Sequence, residues 1–172
     1  MKRLLIALAL LAAPAAHAHV TLETGQAPQG STYKAVVRVG HGCHGAATRT
    51  LRIRIPAGVI AVKPMPKPGW TIRKVTGAYA KPYDYYGTAM KEGVTELVWT
   101  GGELPDDEYD EFVFRAYLTD SLPVGGTVWF PIVQECASGT ERWIEIPAAG
   151  QDPDALESPA PGVKITEPVA GH

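Results

Sequence analysis

The chain has 172 residues with a formal net charge of −2, and 20% of them are charged. That length makes one ordinary domain with enough residues to bury a real core. Mild acidity and the lack of any basic run argue against nucleic acid as a partner.

Met1-Lys2-Arg3 is a short basic start, followed by the apolar run from Leu4 to Ala13 and the small-x-small triplet Ala16-His17-Ala18. Residues 1–18 therefore read as a secretory signal peptide, cut between Ala18 and His19. The apolar run falls short of the roughly 20 residues that a membrane span needs, and no later run is long enough to span. The mature chain is expected to be exported by a bacterium, periplasmic or secreted, with no membrane span after signal cleavage. A cut after Ala16 is the alternative, and it would begin the chain at His17-Ala18-His19.

Cleavage after Ala18 makes His19 the first residue. Its free α-amine and its Nδ1 close a chelate ring and supply two nitrogens, which suit the tetragonal preference of Cu(II). The amine must lose its proton, from a free pKa of roughly 8, so affinity is expected to rise with pH. With histidine in third place, the amine, two deprotonated amides and the imidazole would form a square Cu(II) site instead. Either start points to copper as the bound ion. A methionine-based Cu(I) site is not expected, because Met65 and Met90 are isolated.

The mature region then runs through short alternating segments, with no convincing amphipathic helix. His19 to Leu22 is the first and Tyr33 to Val39 the second, with Tyr33, Ala35, Val37 and Val39 on one face. Leu51 to Ile55 alternates arginine with aliphatic residues, and Val59–Val62, Trp70–Val75, Val94–Thr100, Tyr109–Leu118, Thr127–Gln134 and Trp143–Ile146 follow. Gly and Pro punctuate nearly every gap. About nine strands at this spacing predict an all-β, antiparallel β-sandwich of immunoglobulin or cupredoxin type over residues 19–147. Gly77 to Gly93, with four tyrosines, reads as a long hairpin insertion. Residues 148–172, rich in Pro, Ala, Gly and acids, read as a flexible C-terminal tail, with His172 incidental.

Cys43 and Cys136 are the only cysteines. In an oxidising compartment so distant a pair is most simply a disulfide. A thiolate metal site with His41, His44 and Glu135 is the rival reading.

Strand parity picks out candidate site residues, since successive side chains point to opposite faces. Val20 and Leu22 belong inside, which turns His19, Thr21 and Glu23 outward. Phe112 and Phe114 belong inside, so Glu111 points out, where a surface pairing with Arg115 is the plainer role. Ile144 and Ile146 are expected inside, leaving Trp143 on the outer side. Parity permits His19, Glu111 and Trp143 to meet without requiring it.

Four stretches together carry a resemblance: His19-Val20-Thr21-Leu22-Glu23, Gly69-Trp70 after a Pro-Lys-Pro run, Tyr109-Asp110-Glu111-Phe112, and Trp143 in a late strand. From His19 to Pro147 the chain resembles the YcnI-like copper-binding domain family. The resemblance implies an extracytoplasmic β-sandwich that binds one Cu(II) through a mono-histidine brace. His19 would give the amine and Nδ1, Glu111 the oxygen (Glu23 being the fallback), and Trp143 would lie beside the metal. Many relatives carry a C-terminal membrane anchor, for which this sequence shows no apolar run.

Function is then expected to be copper homeostasis or trafficking without turnover, so not an enzyme. The partners would be the copper ion, other periplasmic copper-handling proteins, or a membrane copper transporter. A copper-dependent polysaccharide oxygenase is the alternative; it needs a second histidine, from His41 or His44. An adhesion or structural sandwich without metal is a third reading.

Overall fold

The computed structural model of the protein describes residues 19–169. The expected signal peptide, the alternative start at His17 and the C-terminal His172 lie outside the described residues. The strands, in chain order, are β1 (Thr21–Leu22), β2 (Gln26–Pro28), β3 (Ser31–Val39), β4 (Thr48–Arg54), β5 (Val59–Pro64), β6 (Thr71–Tyr85), β7 (Thr88–Leu104), β8 (Asp110–Leu118), β9 (Thr127–Trp129), β10 (Ile132–Cys136), β11 (Thr140–Trp143) and β12 (Gly162–Thr166). Among the described residues no helix is long and apolar enough to cross a membrane.

These strands form a four-stranded sheet in the order β1-β3-β8-β5 and a five-stranded sheet in the order β11-β10-β4-β7-β6. Alternation explains which faces meet. On β3 the side chains of Tyr33, Ala35, Val37 and Val39 are buried while Thr32 and Lys34 are exposed. They lie beside Ala116, Phe114 and Phe112 of β8 through the pairs Tyr33↔Ala116, Ala35↔Phe114 and Val37↔Phe112. The opposing sheet contributes Leu51, Ile53, Leu97, Trp99 and Ile132, all fully buried. Each such side chain stabilises the fold by about 1.5–3 kcal/mol through burial. The result is the expected antiparallel β-sandwich.

Three expected elements differ from what the fold contains, one being the run Trp143–Ile146, where the strand is instead β11, Thr140–Trp143. The run Thr127–Gln134 is not one strand: β9 and β10 belong to different sheets, parted at Phe130-Pro131. Pro131 has no N–H for a ladder, and its carbonyl instead accepts from Arg54 N at 3.0 Å. The region 148–172 is not a flexible tail as far as residue 169. Its strand β12 lies in a third sheet, parallel to β2 and antiparallel to β9. Val163 and Ile165 there are fully buried in the main core, because Val163-Lys164-Ile165 alternates as any half-buried strand does. The domain therefore extends past Pro147.

The tyrosine-rich insertion is the outer part of the β6–β7 hairpin. Tyr86 and Gly87 turn it, with φ of 51° and 80°. Positive φ at both central residues matches a two-residue turn whose twist suits the flanking strands. Within it Tyr83 is buried.

Candidate metal centre

Trp143 ends β11 opposite Ile132 of β10. Ile132 faces the core, so its neighbour does too, and the indole is buried. This reverses the expected parity: Trp143 is inside, and Ile144 and Ile146 are exposed. The chain leaves the sheet after Trp143, with Ile144 N bonded to Ser158 O at 3.1 Å, and the larger apolar ring takes the core position. The indole still meets His19. The two ring centroids lie 5.5 Å apart, with planes at 64° in an edge-on contact.

Behind the indole is a buried polar knot. Trp143 Nε1 donates to Gln134 Oε1 at 3.2 Å. Gln134 Nε2 donates to the carbonyl of His41 at 2.6 Å and to Thr48 Oγ1 at 2.7 Å. Gln134 has no exposed surface, so these bonds offset the desolvation of its amide. His41 also approaches the indole, with ring centroids 6.0 Å apart. Two residues on, Cys43 is joined to Cys136 with an S–S distance of 2.01 Å. The disulfide expectation therefore holds. The thiolate alternative falls with it: His44 pairs with Glu141 at 3.2 Å and Glu135 with Arg52 at 3.6 Å.

Glu111 belongs to a second cluster, on the outer face of the four-stranded sheet. It stands opposite Arg38, which stands opposite Thr21. Arg38 reaches Glu23 at 2.9 Å and Glu111 at 3.5 Å, and the Tyr109 hydroxyl donates to Glu111. That bond to a carboxylate, with smaller help from desolvation and charge, holds the Tyr109 phenol above its usual pKa. Glu111 thus pairs with Arg38 rather than Arg115. By register it is two strands across and two residues along from His19, roughly 10 Å by 7 Å on ordinary strand spacings. The fold brings His19 to Trp143, and Glu23 to Glu111, around two different centres. Lys67 braces the second one, with Nζ 2.7 Å from Asp110 and donating to the Glu111 carbonyl at 2.9 Å. The Pro-Lys-Pro-Gly-Trp stretch and the Tyr-Asp-Glu-Phe stretch are therefore neighbours in space.

The chain matches the family described as a domain of unknown function, DUF1775, over residues 19–165. It belongs to the DUF1775 family. That family contains the YcnI-like proteins, so the resemblance holds at the level of the family. The DUF1775 domain is also similar to an uncharacterized protein from Nocardia farcinica whose crystal structure is described as revealing an immunoglobulin-like fold. The two share 26% identity with a TM-score of 0.62, over 86% of this chain and 98% of that one. No curated protein matches the chain.

Among the described residues of the DUF1775 domain, no three His, Cys, Asp or Glu side chains converge as a metal site. A metal held at His19 must therefore draw on another donor, and the nitrogen of His19 itself is at hand. It becomes a free amine only if the chain is cut before it. On that condition His19 would offer an ion its amine and Nδ1, with the Trp143 indole beside the imidazole. Two residues at this end of the sandwich were not legible as neighbours of His19 and Trp143. Gln134 shares the inward parity of Ile132, and a polar residue at a core position was the available signal. Asp154 lines a cleft of about 230 Å³ together with His19 and Trp129, a closeness that only the third sheet creates.

Proposed function

We propose that this DUF1775 domain is an exported Cu(II)-binding protein of copper homeostasis, acting without turnover. In this reading residues 1–18 are removed, and the amine and Nδ1 of His19 chelate the ion. The observation that carries it is the contact of His19 with the Trp143 indole. The family match begins at His19, the residue that the cleavage pattern would bare, and this supports the same reading.

Copper is the cargo here, and the protein's residues hold and release it. His19 supplies two nitrogens on one residue, so capture needs no large rearrangement. The buried indole cannot compete as a strong ligand; it limits solvent access on one side of the imidazole. Glu111, the oxygen donor that the resemblance implies, stands with Glu23 in the separate Arg38 cluster. Either carboxylate would have to leave the arginine, and the strands would have to shift, before it reached an ion on His19. Release to another copper-handling protein or a membrane transporter is favoured by acid, because a proton on the amine displaces the ion.

The test compares protein beginning at His19 with protein carrying one extra residue before it. Cu(II) titration followed by EPR is expected to give one tetragonal site in the first and at least about a hundredfold weaker binding in the second, a loss of ~2.7 kcal/mol. Equal affinity in the two would end the proposal.

A further inference from the structure

Three cations stand side by side on the outer face of the four-stranded sheet. Lys34 of β3 is paired with Arg115 of β8, and Arg115 with Lys63 of β5. Partners in register share a face, with Cβ atoms about 4.5–5.5 Å apart. All three residues are exposed, and among the described residues none of them is in an ion pair. Like charges set directly opposite one another destabilise a sheet. The row therefore costs the free protein stability, and a bound anion would offset that cost.

Lys63 also lines a cleft of about 490 Å³, within the roughly 300–1,000 Å³ of small-molecule sites. One wall is β5. The other is the β6–β7 hairpin, whose Tyr85 and Tyr86 rings pack on that of Tyr117 in β8, with centroids 5.2 and 5.3 Å away. Ala61, Val62, Tyr79, Tyr85 and Met90 make the lining mainly apolar, and among the described residues Lys63 is its one charged member. Both walls break their ladders here, β5 between Ile60 and Lys63 and β6 between Ala78 and Tyr83. Ala61 sits in the first break at a φ of 52°, a backbone state that favours glycine. Such breaks re-aim side chains and recur beside functional sites.

We propose that this cleft binds an amphipathic anion. Its apolar body lies against Val62 and Met90, and its carboxylate or phosphate head sits at Lys63 and Arg115, with Lys34 adding to the positive field. The inference does not depend on the copper reading.

The experiment is isothermal titration of the protein with decanoate and with decyl phosphate, both below their micelle concentrations. At least one of them is expected to bind at one molecule per chain, and the tighter of the two names the head group. Decanol and inorganic phosphate, each carrying half of the ligand, are expected to bind at least about tenfold more weakly. Lys63→Gln together with Arg115→Gln is expected to weaken binding about tenfold. That variant keeps or raises the urea midpoint, because a like-charge pair is gone. Thr88→Trp, which fills the cleft from an exposed lining position, is expected to abolish binding. Failure of both anions to bind would overturn the proposal, as would decanol binding as tightly as either anion, or unchanged binding in Thr88→Trp. Sedimentation with phosphatidylglycerol vesicles, without uptake of either single-chain anion, would make the row a membrane contact and overturn the cleft.

Discussion

The imidazole of His19 meets the indole of Trp143 edge-on at 5.5 Å, although they come from opposite ends of the domain sequence. The contact joins the start of the four-stranded sheet to the last strand of the five-stranded sheet. It also couples the candidate site to the core, because the far side of the indole is bonded to Gln134.

Trp143→Phe removes the indole donor and leaves Gln134 Oε1 buried without it. The expected cost is about 1–3 kcal/mol, read from urea unfolding, with some addition for the smaller ring. A loss below about 0.5 kcal/mol would mean that the buried bond carries no net stability.

Arg38 holds both candidate carboxylates, at 2.9 Å and 3.5 Å. If either one binds copper, the arginine competes with the metal. Arg38→Met is then expected to raise Cu(II) affinity by about 1.4–5-fold, the equivalent of the ~0.2–1 kcal/mol of an exposed ion pair. Isothermal titration reads this directly. An unchanged affinity would remove Glu111 and Glu23 together from the ligand set.

The Cys43–Cys136 bond closes a loop across a sequence separation of 93. On the chain-entropy account, replacing both cysteines with alanine costs about 4–5 kcal/mol. The measurement is the urea midpoint of the double variant against the oxidised protein.

Burial, with a smaller contribution from Glu23, raises the Tyr33 pKa well above its ordinary value. Its hydroxyl donates to the Thr24 carbonyl at 2.7 Å. The folded-state pKa lies above the unfolded one, near 10, so this stabilisation is complete below about pH 10 and declines as pH rises beyond it. Unfolding free energy measured from pH 8 to 11 should fall at the upper end, and less steeply in Tyr33→Phe. Equal slopes would remove Tyr33 from the alkaline dependence.

Alternation alone was enough to read β3 from Tyr33, β4 from Leu51 and β8 from Phe112, since from those residues on each keeps an apolar side chain at every position of one face. It failed at Trp143 because β11 ends there, and the period carries no meaning once the chain leaves the sheet. It passed over β12 because a single Val-Lys-Ile motif sits among Pro, Ala and acidic residues, and only pairing with β2 and β9 makes that motif a strand.

The disulfide and the sandwich were determined by the sequence itself, through residue type and period. Which side chains meet His19 was decided by tertiary structure. Local pattern assigns a side chain to a face, whereas the distance between two strands far apart in sequence depends on sheet order and register. That is why Trp143, His41 and Gln134 gather at one end of the sandwich, while Glu111 keeps company with Arg38.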